Sequence, residues 1–176
     1  MRYILKSGNL YKDKNLTVLV KMKSTLIGPL KKIQKSTGEL LLEASIRYLD
    51  ETKAYTGDVR NREYTLIDHE GNLIASAFPK YAEGENPDKD GLSIYRMPRV
   101  DHAHITIGGT EYILIMHNSK HYTMKNLNNV EILRILHKGI AGGWILEDSY
   151  GFVPEVLCGL FAFCRYIEQE NELLIV

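Results

Sequence analysis

The feature that most constrains the fold is an uninterrupted apolar run late in the sequence. The nine residues Val156–Cys164 carry no polar side chain. Pro154 and Glu155 precede the run, and both residue types are favoured in the first turn of a helix. A helix that is apolar on every side is either buried on every side or spans a membrane, and nine uncharged residues are too few for the roughly 20 that a span needs. The run therefore predicts a core helix, Pro154–Ile167.

The preceding sequence is dominated by short strands joined at turns that contain glycine. Leu16–Lys23 alternates between two faces, as is typical of a strand. Hairpins are predicted at Lys35–Leu41, Asp68–Ile74, Val100–Met116 and Val130–Glu147. Each contains glycine between its apolar segments, and glycine readily adopts the positive φ that tight hairpin turns require.

These elements together predict a mostly β protein with one helix at its centre. Sheets connected by hairpins lose their free edges when they close into a barrel. The lumen of a wide barrel encloses a helix on every side, as a helix without a polar face requires. We therefore expect a single domain, residues 1–176, built as a closed antiparallel β-barrel around the hydrophobic C-terminal helix.

This order of elements resembles the tubby-like C-terminal superfamily, which includes tubby proteins, plant LURP-one-related proteins, phospholipid scramblases and small bacterial relatives. The hairpins Lys35–Leu41 and Asp68–Ile74, both with the pattern polar–x–x–Gly–polar–apolar–apolar, and the helix Pro154–Ile167 carry the resemblance. The resemblance implies a closed barrel of about twelve strands. It also implies a role at membranes, because tubby domains bind phosphoinositide headgroups through basic side chains and scramblases are associated with lipid movement and calcium. No acidic cluster here resembles a calcium loop, and the family's headgroup-binding residues do not align with particular lysines.

The charged residues balance overall but are unevenly distributed. There are 22 Lys and Arg and 22 Asp and Glu, yet residues 1–38 carry a net charge of +8 and residues 39–90 a net charge of −6. Two interpretations are open. The basic segment folds against the acidic one and the charges largely cancel, or it forms a surface that attracts anions.

The second interpretation predicts a ligand-binding site in the basic segment. Lys21 and Lys23 share one face of their predicted strand, and Lys31, Lys32 and Lys35 lie on the connection that follows it. Anionic surfaces attract such clusters, so we expect an anionic ligand, such as a phospholipid headgroup. Nucleic acid is disfavoured because no aromatic stacking motif accompanies the lysines.

Three histidines form an alternative site, a metal centre. His102 and His104 lie two residues apart on a predicted strand and therefore share a face. A two-residue loop at Gly108 and Gly109 places His117 on that face, diagonal to His102; a four-residue loop places it directly opposite, and a three-residue loop places it on the other face. Because three imidazoles can hold zinc, the alternative function is a metal-binding protein or metal-dependent enzyme.

The sequence contains no recognised enzyme signature. The G-x-S-x-G, P-loop, G-x-G-x-x-G and H-E-x-x-H patterns are all missing. Cys158 and Cys164 are predicted to be buried in the apolar helix, where a thiol is unreactive. We expect a non-enzymatic binding or scaffold module without a cofactor. A third alternative is a protein–protein adaptor that uses the loop Tyr81–Asp90.

Composition and the N-terminal residues predict the cellular location. Apolar residues make up 44% and charged residues 25% of the chain, which are ordinary values for a globular domain. Met1–Lys14 lacks the apolar segment of a signal peptide. We therefore expect a cytoplasmic protein without a transmembrane segment, peripheral to the membrane if it binds lipid.

Overall fold

Half of the described residues lie in strands in the computed structural model, which describes residues 1–85, 88 and 98–172. The described residues form twelve strands: Arg2–Lys6 (β1), Asn9–Lys12 (β2), Val18–Ser24 (β3), Lys31–Lys35 (β4), Leu40–Tyr48 (β5), Arg62–Asp68 (β6), Leu73–Tyr81 (β7), Val100–Ile107 (β8), Thr110–Asn118 (β9), His121–Asn126 (β10), Glu131–His137 (β11) and Trp144–Asp148 (β12). One α-helix, Pro154–Glu172 (α1), follows them. Short 3-10 turns are formed by Glu51–Thr56, Val59–Asn61 and Gly139–Ala141.

The twelve strands close into an antiparallel barrel in which each strand pairs with its neighbours in the sequence. β1 completes the ring by pairing with β12, where Tyr3 lies opposite Leu146. The amino group of Met1 donates a hydrogen bond to the carbonyl of Asp148 at the same seam. The predicted closed barrel is confirmed, and closure removes the free edges that an open sheet would expose.

The four predicted hairpins are also confirmed. They correspond to β4–β5, β6–β7, β8–β9 and β11–β12. Gly108 and Gly109 both have positive φ, 54° and 83°, and Ile107 pairs directly with Thr110 across them. Two consecutive residues at positive φ are what a tight two-residue hairpin loop requires, so the glycines fix this register.

The helix α1 fills the lumen of the barrel, as predicted. Every side chain of Val156–Cys164 is buried, and α1 contacts β3, β4, β5, β6, β8 and β9. A Cβ at Gly159 would lie 2.5 Å from the side chain of Leu66, so glycine allows α1 to approach β6 closely. Cys158 is fully buried, and burial raises the pKa of its thiol to about 12.

Asp148 organises the turn that leads the chain from the wall into the lumen. Its carboxylate accepts hydrogen bonds from the backbone N–H groups of Tyr150, Gly151 and Phe152, at 3.0, 3.0 and 2.8 Å. The Asp148 side chain is almost completely buried. Because three donors satisfy the carboxylate, its burial is tolerated, and the turn between β12 and α1 is fixed.

The two ends of the barrel are distinguished by the direction of α1. The C-terminal half of α1 reaches the connection between β3 and β4, where the Tyr166 hydroxyl donates to the carbonyl of Pro29 at 2.5 Å, and the start of β8, where Asn171 contacts Val100. We call this the upper end. Five connections lie there, residues 7–8, 25–30, 49–61, 119–120 and 138–143. A sixth, between β7 and β8, starts and ends there, and its residues 86, 87 and 89–97 are outside the described part of the chain.

Gly8 is predicted to tolerate substitution poorly. Gly8 and Gly57 have similar φ, +75° and +71°, but a Cβ at Gly8 would lie 2.5 Å from the carbonyl oxygen of Met22, whereas Gly57 faces open space. Alanine at positive φ costs about 1–2 kcal/mol at either position. Crowding adds about 1–3 kcal/mol for Gly8→Ala only. Urea unfolding of the two variants measures the difference, and equal losses of stability would contradict the prediction.

Candidate anion-binding site

The outer face of the β3–β4 hairpin carries three of the five candidate lysines. Lys23 lies directly opposite Lys32, and Lys21 is two residues from Lys23 on the same face of β3. Val20 and Ile33 alternate with them and are buried on the inner face. Opposite residues have Cβ atoms about 5 Å apart, and residues two apart on a strand are separated by about 6.7 Å. Lys21, Lys23 and Lys32 therefore form a compact group, the outer lysine triad.

The charges of the outer lysine triad are not neutralised by ion pairs. Within the described part of the chain, none of its three members forms an ion pair. Gln34 lies opposite Lys21, and Glu43 lies opposite Lys32 on β5. Like charges directly opposite each other on a sheet are destabilising and opposite charges are favourable, so Glu43 offsets part of the repulsion between Lys23 and Lys32, and a bound anion would relieve the rest.

Lys31 and Lys35 do not join the outer lysine triad. The prediction that these residues lie on a connection is wrong, because Lys31–Lys35 form strand β4. Alternation along β4 places Lys31 and Lys35 on the same side as the buried Ile33, away from Lys32. Lys31 donates to the Ser24 hydroxyl at 2.7 Å, and Lys35 pairs with Glu39 at 2.8 Å. The five lysines thus divide into three that face outward and two with local partners.

Lys6 is a further basic residue at this face that sequence reasoning missed. It lies opposite Asn9 on β2, and Asn9 in turn lies opposite Lys21 on β3. These three residues therefore form one row across three strands. Lys6 belongs to the basic segment, but its position beside Lys21 depends on the pairing of β1 with β2, which the sequence analysis did not identify.

Four of the histidines form two neighbouring pairs rather than one metal-sized group. The register of the two-residue loop is observed, with His102 opposite Ile115. The ring centroids of His102 and His104 are 5.7 Å apart, whereas His117 stacks on His121 at 4.5 Å. Among residues 1–85, 88 and 98–172, no three or more His, Cys, Asp or Glu side chains are placed together so as to hold a metal.

The histidines instead make ordinary local contacts. His117 Nε2 lies 2.8 Å from the Thr123 hydroxyl, and His102 Nδ1 lies 2.6 Å from a carboxylate oxygen of Asp101. Burial lowers the pKa of His117, and the neighbouring His121 lowers it further. Burial in the same way lowers the pKa of His104. Both shifts favour the neutral imidazole.

A cavity lies at the upper end of the barrel. Its volume is about 560 Å³, and Pro29, Tyr48, Arg62 and Glu170 are among the residues that line it. Arg62 and Glu170 are both buried and form an ion pair with each other. Because these two charges are already paired, the cavity offers a weaker anion site than the outer lysine triad.

The predicted contact loop Tyr81–Asp90 lies partly outside the described residues, since residues 86, 87, 89 and 90 are not described. Tyr81 is the last residue of β7, and its hydroxyl donates to Asp58 at 3.2 Å. Arg60 pairs with both Asp58 and Asp88, at 2.7 and 2.9 Å. The described part of the loop is therefore joined to the 3-10 turn Val59–Asn61.

Comparison with family models, with curated proteins and with solved structures gives no match. Among the helical residues that the structure describes, no stretch is long and apolar enough to cross a membrane.

Proposed function

We propose that the protein is a non-enzymatic binding module for an anionic ligand, of which a phospholipid headgroup is the leading class, and that Lys21, Lys23 and Lys32 bind it. The supporting observation is the group of three lysines on adjacent strands without ion-pair partners in the described residues. Membership of the tubby-like superfamily is part of the proposal, and it is supported by the order of elements, a closed antiparallel barrel followed by a buried helix.

The barrel wall holds the three lysines in a favourable arrangement for an anion. Both strands of the hairpin are hydrogen-bonded on each side within the closed ring, so their Cα positions are fixed before any ligand binds. Each basic side chain close to an anionic surface contributes about 1 kcal/mol. Three such contributions amount to about a hundredfold in affinity.

The proposal predicts that neutralising the triad removes binding. We expect the variant Lys21→Gln/Lys23→Gln/Lys32→Gln to bind vesicles of phosphatidylcholine with phosphatidylserine about a hundredfold more weakly than the wild type. Tripolyphosphate in solution should be bound more weakly by the same variant. Co-sedimentation at low and physiological salt measures the first, and calorimetric titration measures the second. The wild type should not bind vesicles of phosphatidylcholine alone.

The matched control removes the same amount of charge elsewhere on the barrel. Lys12, Lys14 and Lys80 are exposed and lie off the outer face of the β3–β4 hairpin. The variant Lys12→Gln/Lys14→Gln/Lys80→Gln should retain most of the binding, and neither variant should unfold below the wild-type temperature. Equal loss of binding in the two variants would show a nonspecific charge effect, and undiminished binding by the triad variant would refute the site.

A further inference from the structure

The connections at the upper end of the barrel differ sharply in charge. Four of the six, residues 7–8, 25–30, 119–120 and 138–143, contain no Asp or Glu, and neither do the two residues on each side of them. Six lysines lie on these four connections or within two residues of them: Lys6, Lys23, Lys31, Lys32, Lys120 and Lys138. The connection 49–61, in contrast, carries three acids, Asp50, Glu51 and Asp58, against the two basic residues Lys53 and Arg60, which pair with Asp50 and Asp58.

The four acid-free connections are neighbours around the rim, and we call them the basic arc. They join β3 to β4, β1 to β2, β11 to β12 and β9 to β10, which are consecutive pairs in the closed ring. Direct contacts link them. Lys6 Nζ donates to the carbonyl of Ala141 at 3.4 Å. The backbone N–H of Met22, on the strand that leads into residues 25–30, donates to the carbonyl of Gly8 at 2.6 Å, and the backbone N–H of His137 donates to the carbonyl of Lys120 at 2.9 Å.

The two longest connections of the basic arc present large aliphatic side chains to solvent. Leu26 and Ile140 are fully exposed, and Ile27 is 90% exposed. The connection with Leu26 and Ile27 is anchored at its base, since the Tyr166 hydroxyl donates to the carbonyl of Pro29 and Thr25 Oγ1 donates to the carbonyl of Ile27. The apolar tips are therefore held outward by a fixed base on the barrel.

Exposed aliphatic tips among lysines match the chemistry of a membrane surface. Interfacial membrane-binding elements combine apolar side chains, which enter the boundary between headgroups and acyl chains, with Lys and Arg that face anionic headgroups. A protein interface instead has a contiguous apolar core surrounded by a polar rim. The tips here lie on two separate connections, with the short turn at residues 7–8 between them, so the apolar surface is not contiguous.

We infer that the basic arc docks the barrel onto an anionic bilayer, with Leu26, Ile27 and Ile140 inserted among the lipids and the lysines at headgroup level. This inference rests on the proposed function and specifies its partner as a membrane surface and not a free anion. The connection 49–61 has no excess of basic charge, since Lys53 and Arg60 pair with its own acids, so an anionic bilayer attracts it less than it attracts the basic arc. The uneven distribution of charge around the rim thus sets the tilt of the barrel axis relative to the bilayer.

The first test separates apolar insertion from charge. The variant Leu26→Ser/Ile27→Ser should bind phosphatidylcholine–phosphatidylserine vesicles at least about tenfold more weakly than the wild type, because two aliphatic side chains no longer leave water. Its affinity for tripolyphosphate should be unchanged. Leu16→Ser is the matched control, because Leu16 is 93% exposed near Lys14 but lies on the connection at the opposite end of the barrel.

The second test reports insertion directly. Cys158 and Cys164 are fully buried, so they do not react with a thiol-reactive label. In the variant Ile27→Cys, an environment-sensitive fluorophore of this kind therefore labels position 27 selectively. Its emission should shift to the blue when phosphatidylcholine–phosphatidylserine vesicles are added, and the same label at Leu16→Cys should not respond. No shift at position 27 in the presence of bound vesicles would overturn the insertion.

The variants distinguish failure of the inference from failure of the proposed function. If the Leu26→Ser/Ile27→Ser variant binds vesicles as tightly as the wild type while the outer lysine triad variant loses binding, insertion is refuted. The anion-binding site is then still supported. Undiminished binding of vesicles and of tripolyphosphate by the triad variant would refute the proposed function, and the inference with it. Loss of vesicle affinity in the Leu26→Ser/Ile27→Ser variant alone, with tripolyphosphate binding retained, supports the membrane partner.

Discussion

Leu160→Asp is expected to abolish folding. Leu160 is fully buried at the centre of α1, and the residues on both sides of it are buried as well. Whether ionised or protonated, an aspartate there would be buried among apolar side chains without a hydrogen-bond partner. Burying the unpartnered carboxyl group costs several kcal/mol. The lost aliphatic contacts add about 2–5 kcal/mol. Because the stability of a domain is typically about 5–15 kcal/mol, the two effects together remove most or all of it.

Val153→Asp provides the matched control for this substitution. Val153 immediately precedes α1 and is half exposed, and its carbonyl accepts from the backbone N–H of Leu157. A negative charge at the N-terminus of a helix is favourable, so this variant should keep the wild-type unfolding temperature. Circular dichroism and thermal unfolding measure both variants. A soluble Leu160→Asp protein with a wild-type transition would refute the buried position of the helix.

Arg62→Met is expected to destabilise the protein by about 3–5 kcal/mol at neutral pH, because it leaves the buried carboxylate of Glu170 without its partner. Arg62 and Glu170 are each 9% exposed, and the Tyr64 hydroxyl also donates to Glu170, at 3.3 Å. Arg134→Met is the control, since Arg134 pairs with Glu131 on the surface and such pairs contribute less than about 1 kcal/mol. Urea unfolding compares the two losses.

The cost of Arg62→Met should fall as the pH falls. Burial raises the pKa of Glu170, and the Arg62 guanidinium opposes part of that rise. Without Arg62 the pKa of Glu170 rises further above its value in the unfolded chain, so the folded variant takes up a proton that the unfolded chain does not. The stability of the variant therefore increases as the pH drops through the raised pKa of Glu170. The double variant Arg62→Met/Glu170→Met should recover most of the loss at every pH, and a deficit that is independent of pH would contradict this explanation.

The barrel and its central helix were predictable because their signals are local. Gly108 and Gly109 between two alternating segments determine a hairpin and its register without information from elsewhere in the chain. The apolar run Val156–Cys164 likewise requires an enclosed site. The structure describes the helix as far as Glu172, five residues beyond the predicted end at Ile167. In this added part Glu170 pairs with Arg62, 108 residues away, and no local pattern shows that pairing.

The candidate site was predictable only in part, because it depends on which strands pair. The sequence located the basic segment and the hairpin turn after Lys35, but the polar residues Lys31–Lys35 do not by themselves mark where the strand before that turn begins. Once β4 is a strand, alternation separates Lys32 from Lys31 and Lys35. The exposure of Leu26 and Ile27 had a sequence signal, since two aliphatic residues directly precede Gly28 and Pro29, which mark a turn at the surface.

The position of α1 after all twelve strands has a consequence for how the chain acquires its structure during synthesis. The wall emerges from the ribosome before the helix that fills it, and β1 must wait for β12, more than a hundred residues later, to close the ring. Until then the inward faces of the strands have no interior to pack against. Non-local pairing of this kind folds slowly, so the nascent barrel depends on chaperones, or on rapid completion of the chain, to avoid aggregation.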